Sequence, residues 1–245
     1  MKIHGTAVIV TGASRGLGAA LARRLAEMGA RCVLVARDSP DLSSVEASIR
    51  ARGGAAWAVP ESLGDPGAAA RIAAASEALA GPVALLVQNA STLGRVPLEL
   101  LLDTEAEDLE RVLGVNLVGP FRLARHVAGA MALRGRGLLV QVTSDAGVVG
   151  YPRWGAYGIS KAALDQMGRV LGAELAGTGV SVLTVDPGEM DTAMHAAAMP
   201  DADRSALASP EEAAARLVHV IEEHERFESG SRLELASLAA AEAVP

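Results

Sequence analysis

A tyrosine and a lysine stand four residues apart in the stretch GAYGISKAAL. On a helix, Tyr157 and Lys161 share one face, one turn apart, which brings an ammonium into the neighbourhood of a phenol oxygen. A phenol with its ordinary pKa near ~10 is too weak an acid to move protons at neutral pH. A cation about 4 Å away is worth roughly 4 kcal/mol at an effective dielectric of about 20, or about three pKa units before desolvation of the phenolate subtracts from it. That is enough for acid-base work. The same spacing also describes a solvated helix face, so the surrounding elements must decide between the two.

The first strand-to-helix junction reads VTGASRGLG, with Gly12, Gly16 and Gly18 flanking Ser14, Arg15 and Leu17. Glycines there permit a tight turn and let the backbone approach a pyrophosphate, whose charge is favoured by the amides and dipole of the helix N-terminus. All three together point to a dinucleotide. The second strand ends VLVARD. Arg37 at its tip and Arg15 in the glycine loop can converge on a 2′-phosphate, so NADP(H) is expected. Asp38 next door would instead suit the free ribose of NAD(H).

Short Val/Leu runs alternate with Ala/Leu segments of helical period. Six apolar runs, TAVIVTG, RCVLVAR, AAWAVPE, VALLVQN, GLLVQVTS and VSVLTVDPG, are expected strands, with SRLELA a weaker seventh. Helices are expected at about 16–28, 41–52, 67–80, 104–132, 155–177 and 211–224. Runs apolar on both faces belong to a parallel sheet covered on each side. The expected fold is therefore α/β, one doubly wound Rossmann-type domain over 1–245 with a mostly parallel sheet of about seven strands. The segment 190–210, with prolines at 200 and 210, is expected to form a substrate lid.

Half of the 245 residues are hydrophobic, but only 2% are aromatic, so the core must be built from Ala, Val and Leu. A net charge of -7 without Lys/Arg clusters argues against a nucleic-acid surface and for a small-molecule substrate. The single cysteine, Cys32, lies in an apolar run and can supply neither a disulfide nor a zinc ligand set. No apolar run reaches membrane-spanning length and none has the form of a signal peptide, so a cytoplasmic protein is expected.

These features together resemble the short-chain dehydrogenase/reductase family, over nearly the full length of the chain. The family's TGxxxGxG loop is matched by Thr11, Gly12, Gly16 and Gly18, and its YxxxK motif by Tyr157 and Lys161. Its serine falls on Ser144 in VTSDAG, thirteen positions before the tyrosine, and its asparagine on Asn116 in VLGVNLVGPF. The turn DPGEMDT resembles the family's PGxxxT, placing Pro187, Gly188, Met190 and Thr192 beside the nicotinamide carboxamide. The resemblance implies that Ser144 holds a carbonyl oxygen and Tyr157 acts as acid/base. It implies that Lys161 also binds the nicotinamide ribose and that Asn116 anchors a water relaying protons to the lysine. A homodimer or homotetramer through the helices carrying Asn116 and Tyr157 is implied as well.

Two positions depart from the family pattern. After the third strand, the usual adenine-binding aspartate is replaced by Ser62, with Glu61 beside it, leaving Ser62 or the Leu63 backbone to accept from the adenine. After the fourth, the usual NNAG reads Gln88, Asn89, Ala90, Ser91, so a side chain replaces a glycine near the cofactor ribose.

The implied activity is NADPH-dependent reduction of a ketone, aldehyde or quinone to an alcohol, with NAD-dependent alcohol oxidation as the alternative. A nucleotide-binding regulatory protein would be expected to lack part of the Ser/Tyr/Lys set, which is complete here. A hydrolase built on Ser144 and His195 lacks the GxSxG elbow. Substrate sites in this architecture lie beyond the carboxyl ends of the strands. Val148, Tyr151, Trp154 and Met194, with Ser144 and Tyr157, are therefore expected to line an apolar pocket, joined by Met190 and Met199. Arg153 and His195 are expected at the surface.

Overall fold

The computed structural model describes residues 1–242; positions 243–245 of the expected domain lie outside the described residues. The strands are β1 (Ala7–Thr11), β2 (Arg31–Ala36), β3 (Ala55–Pro60), β4 (Val83–Gln88), β5 (Gly137–Val142), β6 (Val180–Asp186) and β7 (Arg232–Glu234). They form one sheet in the order β3-β2-β1-β4-β5-β6-β7, every pair parallel. All residues of β1 and β5 are buried, as both faces of a covered parallel sheet require. The chain order reverses between β1 and β4, which opens a crevice beyond their carboxyl ends.

The helices are α1 (Gly16–Glu27), α2 (Pro40–Ala51), α3 (Ala68–Ala80), α4 (Ala106–Leu113), α5 (Gly119–Arg134), α6 (Gly155–Glu174), α7 (Ala193–Ala198), α8 (Pro210–Glu222) and α9 (Leu235–Glu242). Alternate strand residues feed two cores. Val8, Val10, Leu34, Leu85 and Val140 pack with Leu21, Leu25 and Leu217 of α1 and α8. Ile9, Val33, Leu86 and Leu139 pack with Ile72, Leu123 and Met131 of α3 and α5. Cys32 sits in the first of these, its thiol pushed up to about 12 by burial.

Local chemistry sets the helix ends. Ser39 accepts from the Leu42 amide ahead of Pro40, and Ser209 forms a reciprocal capping box with Glu212 ahead of α8. The helix expected at 104–132 runs instead from 106 to 134 and is broken at Gly114–Val118 by a π turn that contains Asn116. Such turns widen a helix locally and recur at functional sites. The 190–210 segment carries α7 and a bridge between Met190 and Ala208.

Candidate active site

The glycine loop is built by close approach. Gly12 has φ +68°, and a Cβ there would lie 2.7 Å from Asn89 Nδ2 and 2.9 Å from Ala90 Cα. A Cβ on Gly18 would sit 2.6 Å from Asn89 Nδ2 and inside contact distance of the Gly12 carbonyl. Only glycine lets the β1–α1 loop lie flat against the end of β4. Thr11 completes the joint, its Oγ1 accepting from the Asn89 and Ala90 amides at 3.0 Å each. Asn89, expected beside the cofactor, donates its side-chain amide to the Thr11 and Gly12 carbonyls, at 3.0 and 3.3 Å. Gln88 is buried and donates to the Pro120 carbonyl at 2.7 Å, tying β4 to α5.

This mouth fits a dinucleotide. No side chain caps α1 and its first turn holds no acid, so its amides and dipole are available to an anion. Arg15 and Arg37 are exposed and have no ion-pair partner among the described residues; register places Arg37 two residues beyond Val35, the partner of Thr11. Ser62 is half-buried and Leu63 buried, and the Leu63 carbonyl packs against Gly119. Glu61 is held by Arg71 at 2.6 and 2.8 Å, which keeps its carboxyl below the ordinary range. Thr192 stands over the loop, where its methyl would lie 3.4 Å from a Cβ on Gly16, while its Oγ1 caps α7 through the His195 amide. Gly188 donates to Asp186 Oδ1 at 3.0 Å, shaping the Pro187–Gly188 turn.

The four chemistry-bearing residues gather beyond the ends of β4 and β5. Tyr157 is 9% exposed, and Lys161 is buried, with its Nζ 5.4 Å from the Tyr157 ring centre. Lys161 donates to the Val142 carbonyl at 2.8 Å. Ser144, and more weakly Ser91, favour the ionised form of the Tyr157 phenol. Ser144 Oγ also donates to Asp145 Oδ1 at 2.9 Å. Asn116 is a strut: its Oδ1 accepts from the Thr92 amide at 2.8 Å, and its Nδ2 donates to Thr92 O and Ser160 Oγ at 2.9 Å each. Ser160 in turn donates to the Tyr157 carbonyl at 2.6 Å.

The electrostatics run opposite to the sequence expectation for the phenol. Burial pushes Tyr157 up to about 12, against the smaller lowering by Ser144. Burial likewise brings Lys161 down to about 8, opposed by Asp165 and Asp186. Desolvation outweighs the charge pairing because both groups lie in a low-dielectric interior and the ammonium is directed at a carbonyl.

Sequence reasoning missed the support behind this pair. Arg232 of β7 donates to Asp186 Oδ2 at 2.8 Å, Asp165 Oδ2 at 3.2 Å and Glu234 Oε1 at 2.7 Å. One guanidinium thus ties the nicotinamide turn and α6 to the edge strand. A single arginine in SRLELA carries no local signal of that role.

Around the mouth, Trp154 packs edge-on against Tyr157 with ring centres 5.7 Å apart, and Tyr151 donates to Asp145 Oδ2 at 2.8 Å. Val148, Met194 and Met199 are exposed, and Met190 packs on the core instead. A further wall, absent from the sequence expectation, is made by Leu93, Leu98, Arg153 and Ala156 beside Tyr157. Arg153 donates to the Leu98 carbonyl at 3.3 Å. The His195 side chain, expected at the lid surface, is only 10% exposed; both ring nitrogens are buried without a hydrogen-bond partner.

A doubly wound sheet with a glycine cradle at its switch point and, beyond β5, a half-buried serine beside a buried tyrosine and lysine defines a nicotinamide-dependent oxidoreductase. The family profile for short chain dehydrogenase matches residues 6–203. An NADPH-dependent aldehyde reductase-like, chloroplastic protein of Arabidopsis thaliana is 34% identical over 206 residues, 79% of this chain and 76% of that one. A solved short chain dehydrogenase/reductase family protein superposes with TM-score 0.84 at 31% identity, covering 96% of this chain and 97% of the other. A metagenomic short-chain oxidoreductase solved with NADP gives TM-score 0.76 at 32% identity over 90% and 92%. The chain belongs to the short-chain dehydrogenase/reductase family. No helix among the described residues is long and apolar enough to cross a membrane.

Proposed function

We propose that this enzyme uses NADPH to reduce the carbonyl group of a small, apolar aldehyde, ketone or quinone. The observation that carries this reading is the buried Tyr157 phenol with Lys161 beneath its ring, at the same mouth as the glycine loop. The nicotinamide, when bound, supplies hydride. Ser144 holds the carbonyl oxygen and stabilises charge as it forms, and Tyr157 gives that oxygen its proton. Lys161 offsets the phenolate left behind. Arg15 and Arg37 would meet the 2′-phosphate, and the NADP of the metagenomic relative supports that preference. In this reading, 190–210 closes over the apolar wall of Val148, Trp154 and Met194.

We further propose a cytoplasmic dimer or tetramer. Phe121 of α5 and Ile159 and Val170 of α6 are exposed apolar side chains on the helices flanking the site, which supports pairing there.

The test is a panel of aldehydes, ketones and quinones with NADPH, followed by loss of nicotinamide absorbance, on the parent and Tyr157→Phe. Phenylalanine keeps the ring and removes only the proton, so turnover should fall at least about a hundredfold. NADPH affinity should survive. Equal rates in parent and variant would overturn the assignment.

A further inference from the structure

The segment between β6 and α8 is braced along its length. Asp191 donates its amide to the Ala208 carbonyl at 2.9 Å beside the Met190–Ala208 bridge, and Arg204 Nε donates to Asp191 Oδ1 at 2.7 Å. At six residues α7 is too short to be stable alone, so its position is set by what it packs against. Ala193, Met194 and Ala197 are exposed, whereas Thr192, His195 and Ala198, spaced three apart, are half-buried and form its inner side. At one end of that side the Thr192 methyl lies beside Gly16 of the glycine loop; at the other, Ala198 packs on the cluster of Leu93, Ala146 and Tyr157. His195 therefore stands between them, over the space that separates the cofactor loop from the phenol. Its backbone is fixed on both sides, the amide donating to Thr192 Oγ1 at 3.1 Å and the carbonyl accepting from the Met199 amide at 2.8 Å. Its side chain is nine-tenths buried, and neither ring nitrogen has a hydrogen-bond partner among the described residues. The Glu189 carboxylate stands 3.8 Å from Nε2, beyond hydrogen-bond range, and is itself mostly exposed. A neutral imidazole carries one donor and one acceptor. Burying both unpaired is destabilising, and native structures keep few such groups unless a partner arrives during function.

We propose that His195 is a specificity-determining residue: with substrate bound, its imidazole hydrogen-bonds a second substrate oxygen, a hydroxyl or oxo group beside the carbonyl that Tyr157 protonates. The inference deepens the reading of this site as a carbonyl reductase and rests on it. It selects hydroxyketones, diketones and ortho-quinones from the carbonyl compounds that reading admits. The cofactor is the weaker candidate partner. Its pyrophosphate suits the free amides of α1 and its carboxamide the Pro187–Thr192 turn, whereas His195 lies a further turn along, toward the Tyr157 cluster. The rest of that wall, Leu93, Trp154 and Ala198, is apolar, so the imidazole is the group able to recognise an oxygen there. A site built to hydrogen-bond a substrate oxygen rejects the analogue that lacks it, because its own polar group is then left unpaired.

Two sets of compounds share a carbon skeleton and differ only in the second oxygen: diacetyl, acetoin and butanone, and benzil, benzoin and deoxybenzoin. Their kcat/KM values with saturating NADPH are compared in the parent, His195→Leu and His195→Gln. Taking the parent-to-variant ratio for each compound cancels its intrinsic electrophilicity. In His195→Leu that ratio should reach at least about ten for the diketones and hydroxyketones and stay below about three for butanone and deoxybenzoin, because only the former lose a hydrogen bond. His195→Gln, which retains a donor and an acceptor, should recover most of the loss. NADPH affinity should change less than about twofold, since the cofactor's contacts are left in place. The unfolding midpoint of free His195→Leu should not fall, because a buried ring without partners has been replaced by an apolar side chain. A ratio equal across each set, a matching loss of NADPH affinity, or a lowered midpoint showing that the ring is paired within the protein would overturn the proposal. Failure of the carbonyl-reductase reading itself is separate: it would appear as turnover surviving in Tyr157→Phe.

Discussion

Lys161→Met should make the protein more stable while abolishing turnover. The buried ammonium is the reason: desolvation brings its pKa down from 10.5 to about 8. That difference corresponds to about 3 kcal/mol of destabilisation when the group is charged in both states. Methionine fills a similar volume without the charge. It loses the hydrogen bond to the Val142 carbonyl, a cost of about 1 kcal/mol. A net gain of about 2 kcal/mol near neutral pH follows, or roughly 4–8 °C in Tm for a chain of this size.

The pH dependence is the sharper signature. Above pH 10.5 the lysine is neutral folded and unfolded, so it imposes no penalty; as pH falls to about 8, the unfolded chain takes up the proton and the folded one does not. The penalty is complete below that. Urea unfolding of both proteins at a series of pH values should show the variant's advantage full at pH 7 and shrinking from about 8 upward. A variant less stable than the parent at pH 7, or an advantage that does not change with pH, would refute the desolvation argument.

Other outcomes follow from the same geometry. Replacing Arg37 and Arg15 together with alanine should weaken NADPH binding at least about tenfold and leave NADH binding nearly unchanged, measured by nicotinamide fluorescence. Gly18→Ala should abolish binding of both nucleotides, because its methyl would collide with Asn89 and the Gly12 carbonyl; titration calorimetry checks this. Ser209→Ala breaks the capping box of α8 and should cost about 1 kcal/mol in urea unfolding with kcat unaffected. Arg232→Met leaves the Asp165 and Asp186 carboxylates without their cation and should cost about 3 kcal/mol at pH 7. Asp186 is already held above its ordinary range by burial, so that loss should ease as pH falls and the carboxyl protonates.

Much of this arrangement was legible in the chain because it is local. Alternating Val/Leu runs and Ala-rich helical segments specify a parallel doubly wound sheet, and glycines at a strand-to-helix turn announce the cradle before any coordinate is known. The Tyr157 and Lys161 spacing is likewise a property of one helix. What stayed hidden depends on partners distant in sequence. Asn89 and Asn116 spend their amides on neighbouring backbone, which only the folded junctions show. Glu61 is claimed by Arg71 ten residues on. The direction of the Tyr157 shift was misjudged because spacing reports the distance to a charge but not the depth of burial, and depth dominates here. Arg232 escaped notice entirely, since its two buried carboxylates come from α6 and β6.

That arginine has a consequence for how the molecule comes into being. A ribosome delivers the glycine loop, Ser144, Tyr157 and Lys161 well before it delivers residue 232. Until the edge strand docks, Asp165 and Asp186 lack the cation that balances them in the folded enzyme. The site of a nascent chain therefore has its tyrosine, lysine and serine in hand before it is electrostatically finished, because the balancing cation is made later than any of them.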